Sequence, residues 1–259
     1  ITPPGGDPVA YHPTTLMFER VPAAEYGLAA GHWRQTVATG NARTIRYFDA
    51  LWRERLSTTD DLANPAATGK AIETRYDADG RKVFASYPQR NPSPIDTALP
   101  GTAWAHDALG RVFAQYQDSE LGVLTTSTDY VAGFQRRVTN PRGHATTTSF
   151  YAWDTPSEDA IAGIAAPEGV SVSIARDAFG KPRSITRSGA GLSATRAYVY
   201  DAHQRLCKTV EPESGATVQA YDGANNLAWR ASGLALPSTT ACWRVLPARH
   251  SVSVTVSPG

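Results

Sequence analysis

The sequence is poor in several features that mark particular classes of protein. Its 259 residues include only two cysteines and one methionine, and the formal net charge is +1. Two cysteines are too few for a disulfide-dense scaffold, and a chain without a basic surplus lacks the electrostatic footprint of a nucleic-acid binder. No run of 18 apolar residues occurs, so no membrane-spanning helix is expected. A composition of 41% apolar and 19% charged residues excludes an intrinsically disordered chain.

Motifs that build common catalytic and metal sites are also missing. The six histidines form no His-x-x-x-His or His-Glu-x-x-His pair, and there is no Cys-x-x-Cys. Neither Gly-x-Ser-x-Gly nor a glycine-rich loop that precedes lysine occurs. We therefore expect no cofactor, no metal site and no enzymatic activity. Cys207 and Cys242 could form one bridge, but the sequence alone favours two buried thiols.

One six-residue phrase recurs along the chain. The clear copies are Tyr76–Arg81 (YDADGR), His106–Arg111 (HDALGR) and Arg176–Lys181 (RDAFGK). Looser, degenerate or eroded copies are Tyr200–Arg205 (YDAHQR), Tyr221–Asn226 (YDGANN), Phe48–Arg53 (FDALWR) and Tyr130–Gln135 (YVAGFQ). A repeated phrase of this kind indicates an architecture built from one supersecondary unit.

The phrase has the chemistry of a tight turn between antiparallel strands. Aspartate opens a turn by accepting hydrogen bonds from backbone amides further along, and glycine supplies the positive φ that closes it. The predicted structural turn residues are Asp77, Gly80, Asp107, Gly110, Asp177, Gly180, Asp201, Asp222 and Asn225. Gln204 and Trp52 occupy the glycine position in two copies, which are therefore either strained or use a different turn.

The segments between these turns are typical of strands. Val112–Tyr116 and Ala197–Tyr200 are rich in aromatic and β-branched residues, while Gly169–Ile174 and Val252–Val256 alternate apolar with polar residues. A second kind of turn, built on proline and glycine, is predicted at 140–143, 167–169 and 211–215. The only predicted helix is a short one over 157–162, from an apparent N-cap serine and an acidic first turn. The sequence thus predicts an all-β, antiparallel meander in a curved, open sheet.

The repeated phrase resembles the YD repeat of Rhs proteins, of the B and C subunits of insecticidal toxin complexes, and of teneurins. The resemblance covers about residues 44–235 and includes Thr139–Thr147, which looks like the family's segment between turns. It implies a spiral of β-hairpins that closes into a hollow cocoon, which in Rhs and toxin-complex members holds a C-terminal toxin. We therefore expect 1–259 to be one interior segment of such a shell. Residues 1–43 would be entry strands, 44–235 would be the recognisable array, and 236–259 would be further strands that continue beyond this segment.

Two departures from the family limit what the resemblance implies. The array is many times shorter than a family shell, and the Asp-Pro-x-Gly core motif is absent, since the one Asp-Pro dipeptide is Asp7-Pro8. No autoproteolytic residue can therefore be assigned. No toxin domain is recognisable in the sequence either.

The sequence leaves three functions to weigh. The first is a structural shell segment of a secreted or cell-surface bacterial protein, exported by a dedicated system. Its partners would be the rest of its shell, an enclosed toxin polypeptide and delivery proteins. The second is an adhesion module that binds glycans through exposed tryptophans. The third, a glycosidase that uses paired aspartates, ranks lowest because five aspartates at one turn position indicate architecture.

Overall fold

A computed structural model of the chain describes residues 12–90, 92–152, 157–239 and 241–242. They form an 18-stranded antiparallel sheet in which each strand lies beside its neighbour in sequence. The all-β, antiparallel fold predicted from the sequence is confirmed. In the described part of the chain, no helix is long and apolar enough to cross a membrane.

The chain divides into two compact units. The first runs to Thr128 and includes Thr139–Gly143, while the second comprises Asp129–Val138 and resumes at His144. The proposed division into 1–43, 44–235 and 236–259 stays a prediction, and Val252–Val256 lies outside the described residues.

The first unit contains eight strands and most of a ninth. They are β1 Thr14–Arg20, β2 Trp33–Thr39, β3 Ala42–Phe48, β4 Glu54–Asp61, β5 Lys70–Tyr76, β6 Lys82–Ser86, β7 Gly101–His106, β8 Val112–Ser119 and β9 Gly122–Val131. One helical turn, α1 Pro65–Thr68, joins β4 to β5.

The core of this unit lies where two loops cover β3, β4 and β5. Leu28, from the loop between β1 and β2, packs with the buried Tyr47, Leu56 and Ala71. Ile95, from the loop between β6 and β7, packs against the same cluster, and its N–H donates to a carbonyl of the first loop at 2.8 Å. The two loops therefore support each other over one part of the sheet.

A buried carboxylate fixes the second of these loops. Glu73 on β5 is only 2% exposed, and its Oε1 accepts from Arg75 Nε at 2.6 Å and from the Asp96 N–H at 2.8 Å. Because a buried charge must be paired, this ion pair holds both the sheet and the loop in one arrangement.

The second unit contains the end of β9 and nine further strands. They are β10 Gln135–Thr139, β11 Ala145–Phe150, β12 Ile161–Ala165, β13 Ser171–Arg176, β14 Pro182–Gly189, β15 Leu192–Tyr200, β16 Leu206–Glu211, β17 Gly215–Tyr221 and β18 Leu227–Leu234. A 3-10 turn at Pro167–Gly169 joins β12 to β13. Its most buried apolar residues are Cys207, Ala216 and Val218, at 3%, 0% and 1% exposure.

The prediction of two free, buried thiols was wrong. Cys207 and Cys242 form a disulfide that ties the segment after β18 back to β16. The same segment caps a buried lysine, because Lys208 Nζ donates to the Pro237 carbonyl at 2.8 Å. Sequence spacing could not show this pairing, because Cys207 lies on β16 and Cys242 follows β18, 35 residues later.

The predicted helix at 157–162 was also wrong. Ser157 and Asp159 hydrogen-bond to each other in an irregular bend, and Ile161 already begins β12. The serine and the acidic residues stabilise the bend locally in the way that they would cap a helix. The apolar residues that follow, however, are recruited into the sheet.

Candidate functional site

The six copies of the repeated phrase that have aspartate at the second position form the same hydrogen-bonded turn. At Asp77 the Oδ1 atom accepts from the N–H groups of Asp79, at 3.0 Å, and Arg81, at 2.8 Å. The Asp77 N–H donates to the Arg81 carbonyl, and the Gly80 N–H donates to the Asp77 carbonyl. The corresponding bonds recur at Asp49, Asp107, Asp177, Asp201 and Asp222.

The fifth position of the phrase has positive φ in every one of these copies. Gly80, Gly110 and Gly180 have φ of 80, 79 and 76°, the conformation predicted for them, and Asn225 has 68°. Trp52 and Gln204 both have φ of 63°. The two departing copies therefore use the same turn and hold bulky side chains in the left-handed region, which costs about 1–2 kcal/mol per residue.

The eroded copy at Tyr130–Gln135 forms a different turn. Both Gly133 and Phe134 have positive φ, of 80 and 55°, between the end of β9 and the start of β10. Without an aspartate at the second position, no carboxylate is available to gather the backbone amides. Of the proline-glycine turns, the one at 140–143 repeats the bonds of the phrase, because the Arg142 N–H donates to Asn140 Oδ1 and the Gly143 N–H donates to the Asn140 carbonyl, both at 2.9 Å. Gly143, Gly169 and Gly215 have φ of 80, 72 and 77°.

In five of the six turns, the side chain at the sixth position donates to the aspartate of its own turn. Arg81 Nε donates to Asp77 Oδ2 at 2.6 Å, and Arg205 Nε donates to Asp201 Oδ2 at 2.8 Å. Arg53 and Arg111 make the same bond, and the Asn226 amide replaces it in the last copy. Where this bond exists, both carboxylate oxygens are engaged.

These bonds lower the pKa of the turn aspartates. The Arg111 side chain and the backbone amides lower the pKa of Asp107, and backbone and side-chain bonds from Asn226 lower that of Asp222. Burial alone would raise the pKa of Asp201, but hydrogen bonds from Arg205 outweigh it and the pKa is lowered. The carboxylates are therefore held in the ionised form.

The basic side chain also reaches the next turn of the series. Arg53 Nη1 donates to the Asp77 carbonyl at 3.2 Å, and Arg81 Nη1 donates to the Asp107 carbonyl at 3.4 Å. In the second unit, Lys181 Nζ bonds to the Gln204 carbonyl and Arg205 Nη1 bonds to the Asp222 carbonyl at 3.4 Å. One side chain thus closes its own turn or spans to the following one, and Arg53, Arg81 and Arg205 do both.

In three of the six copies, a tyrosine at the first position fastens the turn to the one before it. Arg53, Lys181 and Arg205 place their charges 5.2, 5.3 and 4.8 Å from the ring centroids of Tyr76, Tyr200 and Tyr221, respectively. The hydroxyl groups of these tyrosines donate to the backbone carbonyls of Glu54, Pro182 and Leu206. Each acceptor stands five residues after the aspartate of the preceding turn.

We call this set of contacts the turn ladder. It consists of the aspartate, the basic residue and the following tyrosine in successive copies of the phrase. The structure brings Asp49, Asp77 and Asp107 into one series within the first unit. It brings Asp177, Asp201 and Asp222 into another within the second.

Sequence reasoning explained the aspartate and the glycine but missed the basic residue and the tyrosine. Their signal was present, because both recur at fixed positions of the phrase. Within a single turn the arginine has only aspartate as a partner, and the tyrosine has none. The partners in the neighbouring turns lie 15–26 residues away and become adjacent only when consecutive hairpins pair.

A β-bulge follows every turn of the ladder at one position. Tyr76 pairs with Lys82 and Arg75 pairs with Phe84, which leaves Val83 as the extra residue. The extra residues of the other hairpins, all six positions after the aspartate, are Arg55, Phe113, Arg183, Cys207 and Ala228. Bulges bend the strand and increase its twist, so each hairpin carries the same local deformation.

Other candidate chemistry is sparse. Within the described ranges, no three His, Cys, Asp or Glu side chains are grouped to hold a metal ion. His203 is a variable residue of its turn, and His106 occupies a tyrosine position with its buried Nδ1 lacking a hydrogen-bond partner. Trp33, Trp104 and Trp229 are half-buried and Trp52 is 55% exposed, while Trp153 and Trp243 lie outside the described residues.

Comparison with known proteins gives matches among solved structures only. No protein-family model and no curated protein sequence matches the chain. A crystal structure titled TcdB2-TccC3-TEV is 14% identical over 79% of this chain, with a TM-score of 0.39, and one titled TcdB2-TccC3 is 12% identical over 85%, with a TM-score of 0.38. A Photorhabdus luminescens Tc holotoxin pore is 11% identical over 78%, with a TM-score of 0.21. The chain spans 12, 18 and 17% of those chains, respectively.

Proposed function

We propose that this chain is a structural segment of an Rhs-type YD-repeat shell that encloses a toxin polypeptide and helps to deliver it. The observation that carries the proposal is the turn ladder. Six copies of the phrase form the same kind of turn. Their basic residues and tyrosines tie successive hairpins together.

The ladder suits a wall better than it suits a binding loop. Backbone pairing already joins neighbouring strands, and the ladder adds a second connection between successive hairpins at their turns. A sheet that is continuous from hairpin to hairpin offers few unpaired edges and can separate an enclosed chain from solvent and proteases. Such a wall needs the same contact many times, which is what a repeat supplies.

The occupied carboxylates argue against an enzymatic role for the turn aspartates. A general acid needs a raised pKa and a nucleophile needs a free oxygen, whereas Asp107 and Asp201 have lowered pKa values and both oxygens engaged. The proposed function is therefore non-enzymatic.

The proposal also specifies partners and location. The structures that the chain partly resembles are titled as complexes of TcdB2 with TccC3 and as a Tc holotoxin pore. By analogy, the partners here would be the remainder of a shell, an enclosed toxin polypeptide and proteins of a delivery machine. The protein would be secreted or displayed on a bacterial surface.

Protease protection tests the proposal on the full product of the gene that encodes this chain. We expect protease to leave a long internal segment intact in the native product and to degrade it after denaturation. Breaking the ladder with Arg205→Gln and Tyr221→Leu together should make that segment sensitive. Leu121→Ala, at a side chain that is 92% exposed, is the matched control and should preserve protection. A product without any protected segment, or without a shell in electron micrographs, would refute the proposal.

A further inference from the structure

Four aromatic side chains of the first unit form one exposed cluster, which we call the aromatic platform. It consists of Phe18 on β1, Trp33 on β2, Phe48 on β3 and Trp52 in the turn after β3. The Trp52 ring lies 5.2 Å from Trp33 and 5.6 Å from Phe18, at interplanar angles of 22 and 12°. Phe18 is 41% and Trp52 is 55% exposed, so the cluster is open to solvent.

The ring of Trp52 is held in the platform at a conformational cost. Trp52 occupies the glycine position of its turn with φ of 63°, and a bulky residue in this region is a genuine outlier. Glycine would serve the turn without strain, as it does at Gly80 in the next copy. Strained residues that keep exposed side chains are concentrated at binding sites, where the strain fixes a group in place.

A hydrogen-bonded polar group borders the platform on the same face of the sheet. Gln35 is the register partner of Phe18, and Glu54 is the register partner of Phe48, so each pair shares a face. Arg46 joins them, because its Nη1 donates to Gln35 Oε1 at 2.9 Å and its Nε lies 3.4 Å from Glu54 Oε2. The Arg46 and Glu54 side chains remain 42 and 37% exposed, and their polar groups are therefore held in position and still reachable.

The geometry points to a binding site for a neutral hexopyranose sugar on the aromatic platform. A sugar ring presents an apolar face of C–H groups, which stacks on an open aromatic surface, and a rim of hydroxyl groups, which pairs with planar amide, guanidinium and carboxylate groups. Arg46 and Glu54 neutralise each other, so this hydrogen-bonded group adds no net charge to the rim. Arg20, the register partner of Trp33, lies on the same face, and its Nε donates to the Gly31 carbonyl at 3.1 Å. A purely apolar peptide would leave this polar rim unpaired. This inference does not depend on the shell function.

The test uses the whole chain and two simple sugars, methyl β-D-glucoside and methyl β-D-galactoside. Binding is followed by tryptophan fluorescence and by saturation-transfer NMR, in which sugar protons that contact the protein lose intensity. We expect millimolar binding of at least one sugar, with the apolar face of the ring closest to the protein. N-acetylneuraminic acid is the charged comparison, and a proline-rich peptide is the polypeptide comparison. Both should bind at least about tenfold more weakly, a difference of about 1.4 kcal/mol.

Trp52→Gly is the decisive variant, because it removes the ring and gives the turn its preferred residue. We expect binding to weaken at least about tenfold while the melting temperature is unchanged or rises. Gln204→Gly is the matched control, since it makes the same exchange at the same turn position and the same φ in the second unit. It should leave sugar binding unchanged. Arg46→Met should weaken binding and leave tryptophan stacking, read by near-ultraviolet circular dichroism, intact.

Several results would overturn the inference. They are the absence of binding to both neutral sugars, equal binding by Trp52→Gly and the unaltered chain, and preferential binding of the peptide or of the anionic sugar. A collapse of the melting temperature in Trp52→Gly would also contradict it, because it would make Trp52 a packing residue.

Discussion

The fifth residue of each turn is held in the left-handed region whichever side chain it has. Gly180 and Gln204 stand at equivalent positions of neighbouring turns, with φ of 76 and 63°. Asp177 and Asp201 accept the same backbone hydrogen bonds in both turns. The aspartate therefore imposes the turn, and the fifth residue adapts to it at its own cost.

Substitutions at these two positions should have opposite effects on the free energy of unfolding. Gln204→Gly should be neutral or should raise the free energy of unfolding by up to about 1 kcal/mol, because it removes the left-handed strain. Gly180→Ala should lower it by about 1 kcal/mol, and no atom lies within 4 Å of the added Cβ to confuse the comparison. Urea unfolding measures both. A destabilised Gln204→Gly would show that the glutamine side chain makes a contact worth more than the strain.

Acid should weaken the turns through their aspartates. The folded-state pKa is lowered at Asp49, Asp77, Asp107, Asp201 and Asp222. Stabilisation by such groups is present above the unfolded-state pKa of about 3.9 and is lost as the pH falls through the lower folded-state values. We expect the free energy of unfolding to be flat near neutrality and to fall steeply below about pH 4. In Asp201→Asn part of this slope should disappear, and an unchanged slope would contradict the assignment.

At the scale of elements, the repeating unit is a hairpin with its turn, its bulge and its tyrosine contact. The aspartate–glycine turn and the strands around it could be predicted from sequence, because both depend on residues within a few positions of each other. The bulge could not, since it appears only when Val83 is left over between the pairs of β5 and β6. The core around Tyr47 could not either, since the loops that bring Leu28 and Ile95 to it have no periodic pattern.

The hairpin that begins at His106 lacks the tyrosine contact of the repeat, and a substitution should restore it. It stands where the other hairpins have tyrosine, and its buried Nδ1 has no hydrogen-bond partner. His106→Tyr should place a hydroxyl near the Lys82 carbonyl, which is the fifth residue after Asp77, as Tyr76 does with Glu54. We expect a gain of about 0.5–1.5 kcal/mol in the free energy of unfolding, the usual contribution of one hydrogen bond.

The matched control for this repair is Tyr221→Phe, which removes a hydroxyl that bonds to the Leu206 carbonyl at 2.9 Å. It should lose a comparable amount of stability. If His106→Tyr lowers the melting temperature, the first position of this hairpin does not have the environment that the repeat assigns to it.

At the scale of the whole molecule, some of the long-range ties among the described residues stand outside the repeat. Two of them are the bond from the Asp96 N–H to Glu73, in the loop between β6 and β7, and the Cys207–Cys242 disulfide, which holds the segment after β18. Neither tie could be predicted, because each depends on a single residue pair with no recurrence in the sequence. The residues of the turn ladder, in contrast, recur at fixed positions of the phrase, so their pattern is visible in the sequence.

Removal of the disulfide should loosen the second unit. The bond joins residues 35 positions apart, and closing a loop of this length constrains the unfolded chain by about 2–4 kcal/mol in the entropy model. Cys242→Ser with Cys207→Ala should lower the melting temperature and raise hydrogen exchange at β16. A reducing agent should have the same effect on the unaltered chain and none on the double variant. Identical melting curves with and without reductant would show that the bond does not constrain the fold.

The central claim is that the basic residue of one turn and the tyrosine of the next act together to join successive hairpins. A double-mutant cycle on Arg205 and Tyr221, whose charge and ring centroid lie 4.8 Å apart, measures this coupling directly. Arg205→Gln, Tyr221→Leu and the double variant are compared with the unaltered chain by their free energies of unfolding in urea. The ladder predicts a favourable interaction energy of about 0.5–1 kcal/mol. Effects that add to within about 0.3 kcal/mol would mean that the two residues act independently, and the ladder would then be a row of separate turns.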